Sequence, residues 1–331
     1  LKNEESMGCS SKREEENQER LVSQISDLHD QISSLTSLRP SHDVNALFSQ
    51  LVRTCIPPSA IDVARLSSKL RATRSSLINL CAQAETLLES HFSDLLASHR
   101  HPLHHLPLFP YFPNYLKLAA LESALLSSAA HPPRTLAFIG SGPLPLTSIL
   151  LASRHLPATA FHNYDIDPAA NAMARRLVAP HPDVAPRMFF HDKDVMEAGR
   201  EVGEYAVVVL AALVGMEAEE KARVVAHLGR HMAPGAVLMV RSAHGARAFL
   251  YPVVDPSDLR GFEVLSVHHP ADEVINSVIV ARKRFPPPPP PPSDPPPSPD
   301  HHHHHLLTCK CRKEFPVFTN NIMEELTIEQ D

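Results

Sequence analysis

Glu85 and Glu89 stand four residues apart in a run whose apolar residues recur at helical spacing, so the two carboxylates share one helix face. At about 100° per residue they fall on the margin of the stripe made by Leu80, Ala84, Leu87 and Leu88. A carboxylate on such a boundary is partly desolvated, which raises its pKa toward a value useful to a general base. A solvated helix face is the plain alternative, and it weighs more for Glu89 than for Glu85. Tyr111 and Tyr115 follow in a proline-fixed segment. There a phenol can hydrogen-bond an amine or a carboxylate, though both also read as ordinary core aromatics.

A second cluster begins where an apolar run, Thr135–Ile139, meets Gly140, Ser141, Gly142, Pro143 and Leu144. Glycines at a strand-to-helix turn let a ligand approach the backbone, and the helix start favours an anionic group. Pro145 stands where a dinucleotide fingerprint needs its third glycine. The two prolines also remove amide donors that a pyrophosphate would use. A ligand with one carboxylate and no phosphate suits this turn, and S-adenosylmethionine is such a ligand. Asp165 and Asp167 end the next apolar run, 20–25 residues further on, where an acid can accept from both ribose hydroxyls. Asp167 precedes Pro168 and reads as a helix N-cap, which assigns the ribose to Asp165.

Asp192, after the third run, is the candidate for the adenine amino group, against solvated loop charge. Ala211, Ala212 and Leu213 give an apolar end to the fourth run, suited to packing on adenine or on the substrate chain. This end lacks the Asn/Asp-Pro-Pro-aromatic element of many enzymes that methylate base amines. Arg241, His244 and Arg247 follow the fifth run, at the carboxyl edge where such sheets bind ligands. The arginines there suit substrate carboxylates, or equally surface salt bridges. His91, His99, His101, His104 and His105 invite a metal reading, as do Cys309 and Cys311. Cys309 and Cys311 have no second ligand pair of zinc-site spacing, His91 falls in the apolar stripe and the other histidines lie among prolines, so no metal is expected.

These groups need elements to hold them. Residues 14–130 read as helical, with segments at 21–38, 44–55, a helix from Ile61 capped by Ser59, and another over Tyr115–Ala129. From 131 to 284, short apolar runs alternate with helical stretches, the pattern of a parallel sheet with crossover helices. Strands are expected at Thr135–Ile139, Thr159–Tyr164, Arg187–Phe190, Tyr205–Leu210 and Val237–Val240. Phe262–Val267 and Ser277–Ala281 should form an antiparallel pair at the edge. The fold class is therefore α/β, a Rossmann-like S-adenosylmethionine-dependent methyltransferase-type domain with an N-terminal helical domain. Residues 1–13 are expected to be a disordered extension. Residues 285–331, with the proline run and His301–His305, should be a low-complexity, disordered tail.

The chain has 331 residues, a net charge of −6, no tryptophan and no basic stripe, which argues against a nucleic-acid surface. No apolar run reaches the roughly 18–20 residues of a membrane span. The first twenty residues are too charged for a secretory leader, and Lys12 spoils a myristoylation-like start at Met7. A cytoplasmic protein is expected, and a homo-oligomer is allowed without being required.

Several uninterrupted segments resemble the nicotianamine synthases of plants. They are Phe138–Thr147 (FIGSGPLPLT), Phe161–Pro168 (FHNYDIDP), Leu210–Met216 (LAALVGM) and Arg241–Tyr251 (RSAHGARAFLY), with His91–Leu96 and Leu108–Tyr115. The likeness covers roughly Met7 to Lys283, so residues 1–6 and those from Phe285 lack a counterpart. It implies an enzyme that joins 3-amino-3-carboxypropyl groups from three S-adenosylmethionine molecules, closes an azetidine ring and releases methylthioadenosine. The implied product chelates iron, zinc and copper; the enzyme itself would need no cofactor beyond this substrate. The likeness favours Glu85 with Tyr115 as the reacting pair. Two alternatives stand beside it: a small-molecule N-methyltransferase using the same donor, and a non-catalytic S-adenosylmethionine-binding regulator.

Overall fold

The computed structural model describes residues 2–286, with side chains from Glu15 onward. The proline run beyond Pro286, His301–His305, Cys309 and Cys311 lie outside the described residues. Residues 1–286 form one compact unit.

Four helices come first: α1 (Lys2–Ser33), α2 (His42–Cys55), α3 (Ser68–Ala97) and α4 (Phe112–Ala129). The backbone of α1 continues through residues 2–13, the stretch read as an extension. That segment is built mostly of Glu, Lys, Arg, Asn and Ser with no proline before Pro40, so nothing stops the helix from running back. Ser41 caps α2 by accepting from the Val44 N–H, and Ser67 caps α3 by accepting from Leu70. Ser59 does not start a helix. Its Oγ instead accepts the backbone N–H of Ala246 at 2.7 Å, a tie between the helical part and the segment after the fifth strand.

The sheet contains β1 (Thr135–Ile139), β2 (Ala160–Asp165), β3 (Met188–Asp192), β4 (Val207–Leu210), β5 (Val237–Ser242), β6 (Phe262–His268) and β7 (Ser277–Lys283). All seven expected strands are present, β1 with its expected bounds and the others with ends shifted by at most two residues. Their order is β3-β2-β1-β4-β5-β7-β6. The first five are parallel, while β7 runs antiparallel between β5 and β6. The crossovers carry α5 (Leu146–Leu150), α6 (Pro168–Val178) and α7 (Ala218–His231).

Alternation along the strands divides the core. Leu136, Phe138, Val207 and Val209 face α3, α4 and α5, in one cluster with Leu96, Leu118 and Leu150. Ala137, Ile139, Val208 and Leu210 face α7, through Val224, Val225 and Leu228. Helices α3 and α4 are thus a layer of the sheet's own core. Helices α1 and α2 bury Ile25, Leu28, Ile32 and Leu51 in a third cluster, joined by Phe249 and Leu250. Each fully buried Leu or Ile contributes about 1.5–3 kcal/mol, so both joints are substantial.

Candidate active site

The carboxyl ends of β1, β2 and β4 open into a cavity of about 670 Å³, roofed by α3 and the start of α4. That volume lies well within the range of ligand sites, about 300–1,000 Å³. Its walls carry six carboxylates (Glu85, Glu89, Asp165, Asp167, Asp194 and Glu220) against three cations (Lys193, Arg223 and Arg241). Such a lining favours a ligand with positive charge of its own.

The glycine turn forms the floor. Gly140 and Gly142 have φ of +80° and +67°, a region that only glycine enters at low cost. A Cβ at Gly142 would lie 2.8 Å from Glu89 Oε2, and one at Gly140 would strike Val214. The N–H groups of Gly140 and Ser141 bond the Tyr164 carbonyl, and that of Gly142 bonds Asp165 Oδ2 at 2.8 Å. These amides are committed to the protein, which sets the turn further apart from a phosphate cradle. The enclosed Ser141 Oγ has no partner and faces the cavity wall with Pro143 and Leu144.

Asp165 lines the cavity at the end of β2; its other oxygen accepts from the Asp167 N–H at 3.0 Å. Each carboxylate oxygen keeps a further lone pair for ligand hydroxyls. Asp167 caps α6 by accepting from Ala169 at 2.8 Å, with Pro168 at the first helical position, as its sequence position suggests. Asp192 is not among the residues that line the cavity. Its carboxylate accepts from Asn171 at 2.7 Å and pairs with Arg175 at 2.9 Å at the sheet edge, outside the cavity. Those partners hold its pKa below the usual carboxylate range. Arg175 and Asn171 of α6 hold it there, and Lys193 and Asp194, in the turn after β3, line the cavity.

Ala211, Ala212 and Leu213 line the wall above β4. Beneath them lies a group the sequence reading passed over. The Lys221 side chain is 4 % exposed, and its Nζ donates to the carbonyls of Ala211 (3.2 Å) and Ala212 (2.9 Å). Burial without a carboxylate partner pushes its pKa from 10.5 down to about 7. The folded state therefore holds the proton less tightly than the unfolded chain. Charging this amine costs stability in full below about pH 7, and the cost fades as pH rises toward 10.5. Wild-type protein should gain about 2 kcal/mol relative to Lys221→Met between pH 7.5 and 9.5 in chemical denaturation. Parallel stability curves for the two proteins would reject this account of Lys221.

At the inner end, α3 presents Glu85 and Glu89 beside Tyr115 of α4. The Tyr115 hydroxyl lies 3.4 Å from an oxygen of each glutamate. The hydroxyl of Tyr251, 166 residues further along the chain, donates to Glu85 Oε2 at 2.9 Å. Burial raises both glutamates; Glu89 rises well above the usual range because the Glu85 charge adds to its burial. Glu85 is held back by the Tyr251 hydrogen bond, the Arg241 charge and Tyr115. The pair therefore separates into a carboxyl that keeps its proton and a carboxylate that can accept one. Burial and the neighbouring carboxylates raise Tyr115 and Tyr251 well above the ordinary phenol value, so both remain donors.

Arg241, near the end of β5, also lines the cavity, and its guanidinium lies 5.2 Å above the Phe138 ring. Nε and Nη2 grip Glu122 of α4 at 2.7 and 3.1 Å, and Nη2 also donates to Thr147 at 2.7 Å. Glu122 is fully buried. The other two basic candidates are not in the cavity. His244 is exposed and stacks on His269 with ring centroids 4.0 Å apart. Arg247 is buried and spends its guanidinium on the carbonyls of Pro270 and Asp272, bracing the β6–β7 connection. Tyr111 lines a smaller adjoining cavity, against Phe109. His99 stacks on His105, and among the described residues no group of three or more His, Cys, Asp or Glu is arranged to hold a metal.

Sequence reasoning missed Tyr251 and Asn276, which line the cavity, and Glu122, which holds Arg241 from behind it. Glu122 alone left a signal: it lies four residues from both Leu118 and Leu126, on the apolar stripe of α4.

The strand order, the antiparallel seventh strand and the cavity at the carboxyl edge define the S-adenosylmethionine-dependent methyltransferase-type fold. The fold matches that of MtNAS, solved as a glutamate-to-glutamine variant in complex with S-adenosylmethionine. The TM-score is 0.67 at 22% identity, over 80% of this chain and 98% of that one. The chain belongs to the nicotianamine synthase family: the family model "Nicotianamine synthase protein" matches residues 13–287. Nicotianamine synthase of Solanum lycopersicum is 60% identical over 268 residues, 81% of this chain and 84% of the relative. Nicotianamine synthase 3 of Oryza sativa subsp. japonica is 61% identical over 275 residues, 82% and 80% of the two chains. Among the described residues no helix is long and apolar enough to cross a membrane.

Proposed function

We propose that this cavity condenses three S-adenosylmethionine molecules into nicotianamine, a chelator of iron, zinc and copper, with Glu85 as the base. In each step an α-amine attacks the γ-carbon of a methionine chain and the carbon–sulfur bond breaks. Neutral methylthioadenosine leaves, and one proton passes from the nitrogen to the protein. One step closes the azetidine ring, when the amine attacks the γ-carbon of its own chain. The sulfonium supplies the leaving-group activation, so the protein has only to align the partners and free an amine. The observation that carries the reading is Glu85, bonded by Tyr115 and Tyr251 at the inner end of an acidic cavity.

In the same reading Asp165 holds the ribose, the Ser141–Leu144 turn and Ala211–Leu213 hold the rest of the nucleoside, and Arg241 takes a substrate carboxylate. The helices over residues 14–130 serve as the cover, and since α3 and α4 share the sheet's core, that part of the cover is fixed. The enzyme is read as cytoplasmic, in keeping with the free thiols of Cys55 and Cys81.

Methyl transfer uses the same donor and fold, so the nucleoside released is the discriminating product. Purified protein given S-adenosylmethionine alone should release methylthioadenosine. S-adenosylhomocysteine formed only with an added amine would replace this function by N-methylation, and no turnover would leave a binding protein.

A further inference from the structure

Beside the large cavity lies a narrower one, reached between α2, α3 and the segment around Leu250. Four residues line both: Glu85, Tyr115, Tyr251 and Asn276. Asn276 immediately precedes β7 and is 7 % exposed, yet its Nδ2 is enclosed with no hydrogen-bond partner. A buried amide left unpaired costs free energy and calls for an explanation. Its position is fixed from several sides. Arg247 holds the carbonyls of Pro270 and Asp272, Asn114 of α4 donates to the Glu273 carbonyl at 2.6 Å, and Asp272 accepts from the Val274 N–H at 3.1 Å.

The reaction proposed above brings two amino-acid ends together, each with a carboxylate that must be met in a largely acidic cavity. The Tyr115 and Tyr251 hydroxyls are directed at the glutamates. Arg241 commits Nε and Nη2 to Glu122 and Thr147, which leaves Nη1 for one carboxylate, and it lines only the large cavity. In an α-amino acid the amine and the carboxylate share one carbon. When the attacking amine faces Glu85, its own carboxylate therefore lies within a few ångströms, at the junction where the Asn276 amide stands. We propose that Asn276 is the substrate-binding residue that holds the carboxylate of the attacking amino-acid unit and so aims its amine at Glu85.

The proposal rests on the aminocarboxypropyl-transfer reading, and the test separates the two. Wild type, Asn276→Ala and Asn276→Asp are compared for methylthioadenosine release, for calorimetric affinity toward nicotianamine and methylthioadenosine, and for thermal unfolding. Deleting an amide that lacks a partner should leave the unfolding temperature of Asn276→Ala unchanged or raised. Both variants should bind methylthioadenosine, which has no carboxylate, within twofold of wild type. Nicotianamine affinity should fall about tenfold in Asn276→Ala and further in Asn276→Asp, where like charges meet. The KM for S-adenosylmethionine should rise in the same order. A lowered unfolding temperature in Asn276→Ala with unchanged nicotianamine affinity and KM would make Asn276 structural and overturn the proposal. Wild type that releases no methylthioadenosine would instead remove the reading beneath it.

Discussion

Glu85→Gln should lower the turnover of S-adenosylmethionine by about 10²–10⁴-fold, the usual contribution of a positioned general base. Binding of the intact substrate should stay within about threefold of wild type, because glutamine keeps the volume and an acceptor for the Tyr251 hydroxyl, 2.9 Å away. The neighbouring glutamate provides the contrast. Glu89 already favours its protonated form through burial and the Glu85 charge, and glutamine imitates that form. Glu89→Gln should therefore lose less than about tenfold, far short of a lost general base. If the two variants lost activity equally, the division of labour argued for the pair would be wrong. If Glu85→Gln turned over at a near-normal rate, Glu85 would not be the base.

The second large effect concerns stability. Arg241→Met strands the carboxylate of Glu122, which is fully buried and bonded by two guanidinium nitrogens. Removing one partner of a buried pair costs about 3–5 kcal/mol, because the other charge is left unpaired. For a chain of this size the unfolding temperature should fall on the order of 10 °C. Replacing both, as Glu122→Leu with Arg241→Met, should recover most of that loss, since an apolar pair of similar volume needs no compensation. Activity should not return with it. The Arg241 charge also lowers the pKa of both glutamates, and its Nη1 is the group offered to a substrate carboxylate in the proposed reaction. A double variant that regained stability and turnover together would reduce Arg241 to a structural role. Equal instability of the single and double variants would mean that the ion pair is not the source of the loss.

What could be read from the sequence follows the range of the interactions. The seven strands appear as short apolar runs because each is buried on one or both faces, a property of neighbouring residues. The glycine turn and Asp165 are legible for the same reason: strand, turn and helix fix them within about thirty residues. Asp167 could be separated from Asp165 because a proline after it marks a helix start. Ser59 misled because a local rule, the N-cap, was overridden by a partner 187 residues away. Asp192 stands apart because Asn171 and Arg175 of α6, about twenty residues back, take its carboxylate. His244 and Arg247 share the segment of Arg241, yet only Arg241 reaches the cavity; a 3₁₀ turn over Gly245–Phe249 carries the others away. Tyr251 and Asn276 had no local signature. A tyrosine after a turn and an asparagine before a strand are ordinary until the sheet brings them to Glu85.

The same point bears on the helical region. Leucine spacing announces helices over residues 14–130, but it does not show that α3 and α4 complete the core of the sheet while α1 and α2 pack elsewhere. Because Glu85, Glu89 and Tyr115 stand on the helices fixed to the sheet, their distance from the glycine turn is set by the fold. That arrangement suits a site that repeats one reaction on a growing chain, as the base must meet each new amine in the same place.

The ratio of products tests this most directly. Protein incubated with S-adenosylmethionine as sole substrate should release three methylthioadenosines for each nicotianamine, with no S-adenosylhomocysteine. S-adenosylhomocysteine as the nucleoside, or methylthioadenosine without any aminocarboxypropyl-transfer product, would contradict it.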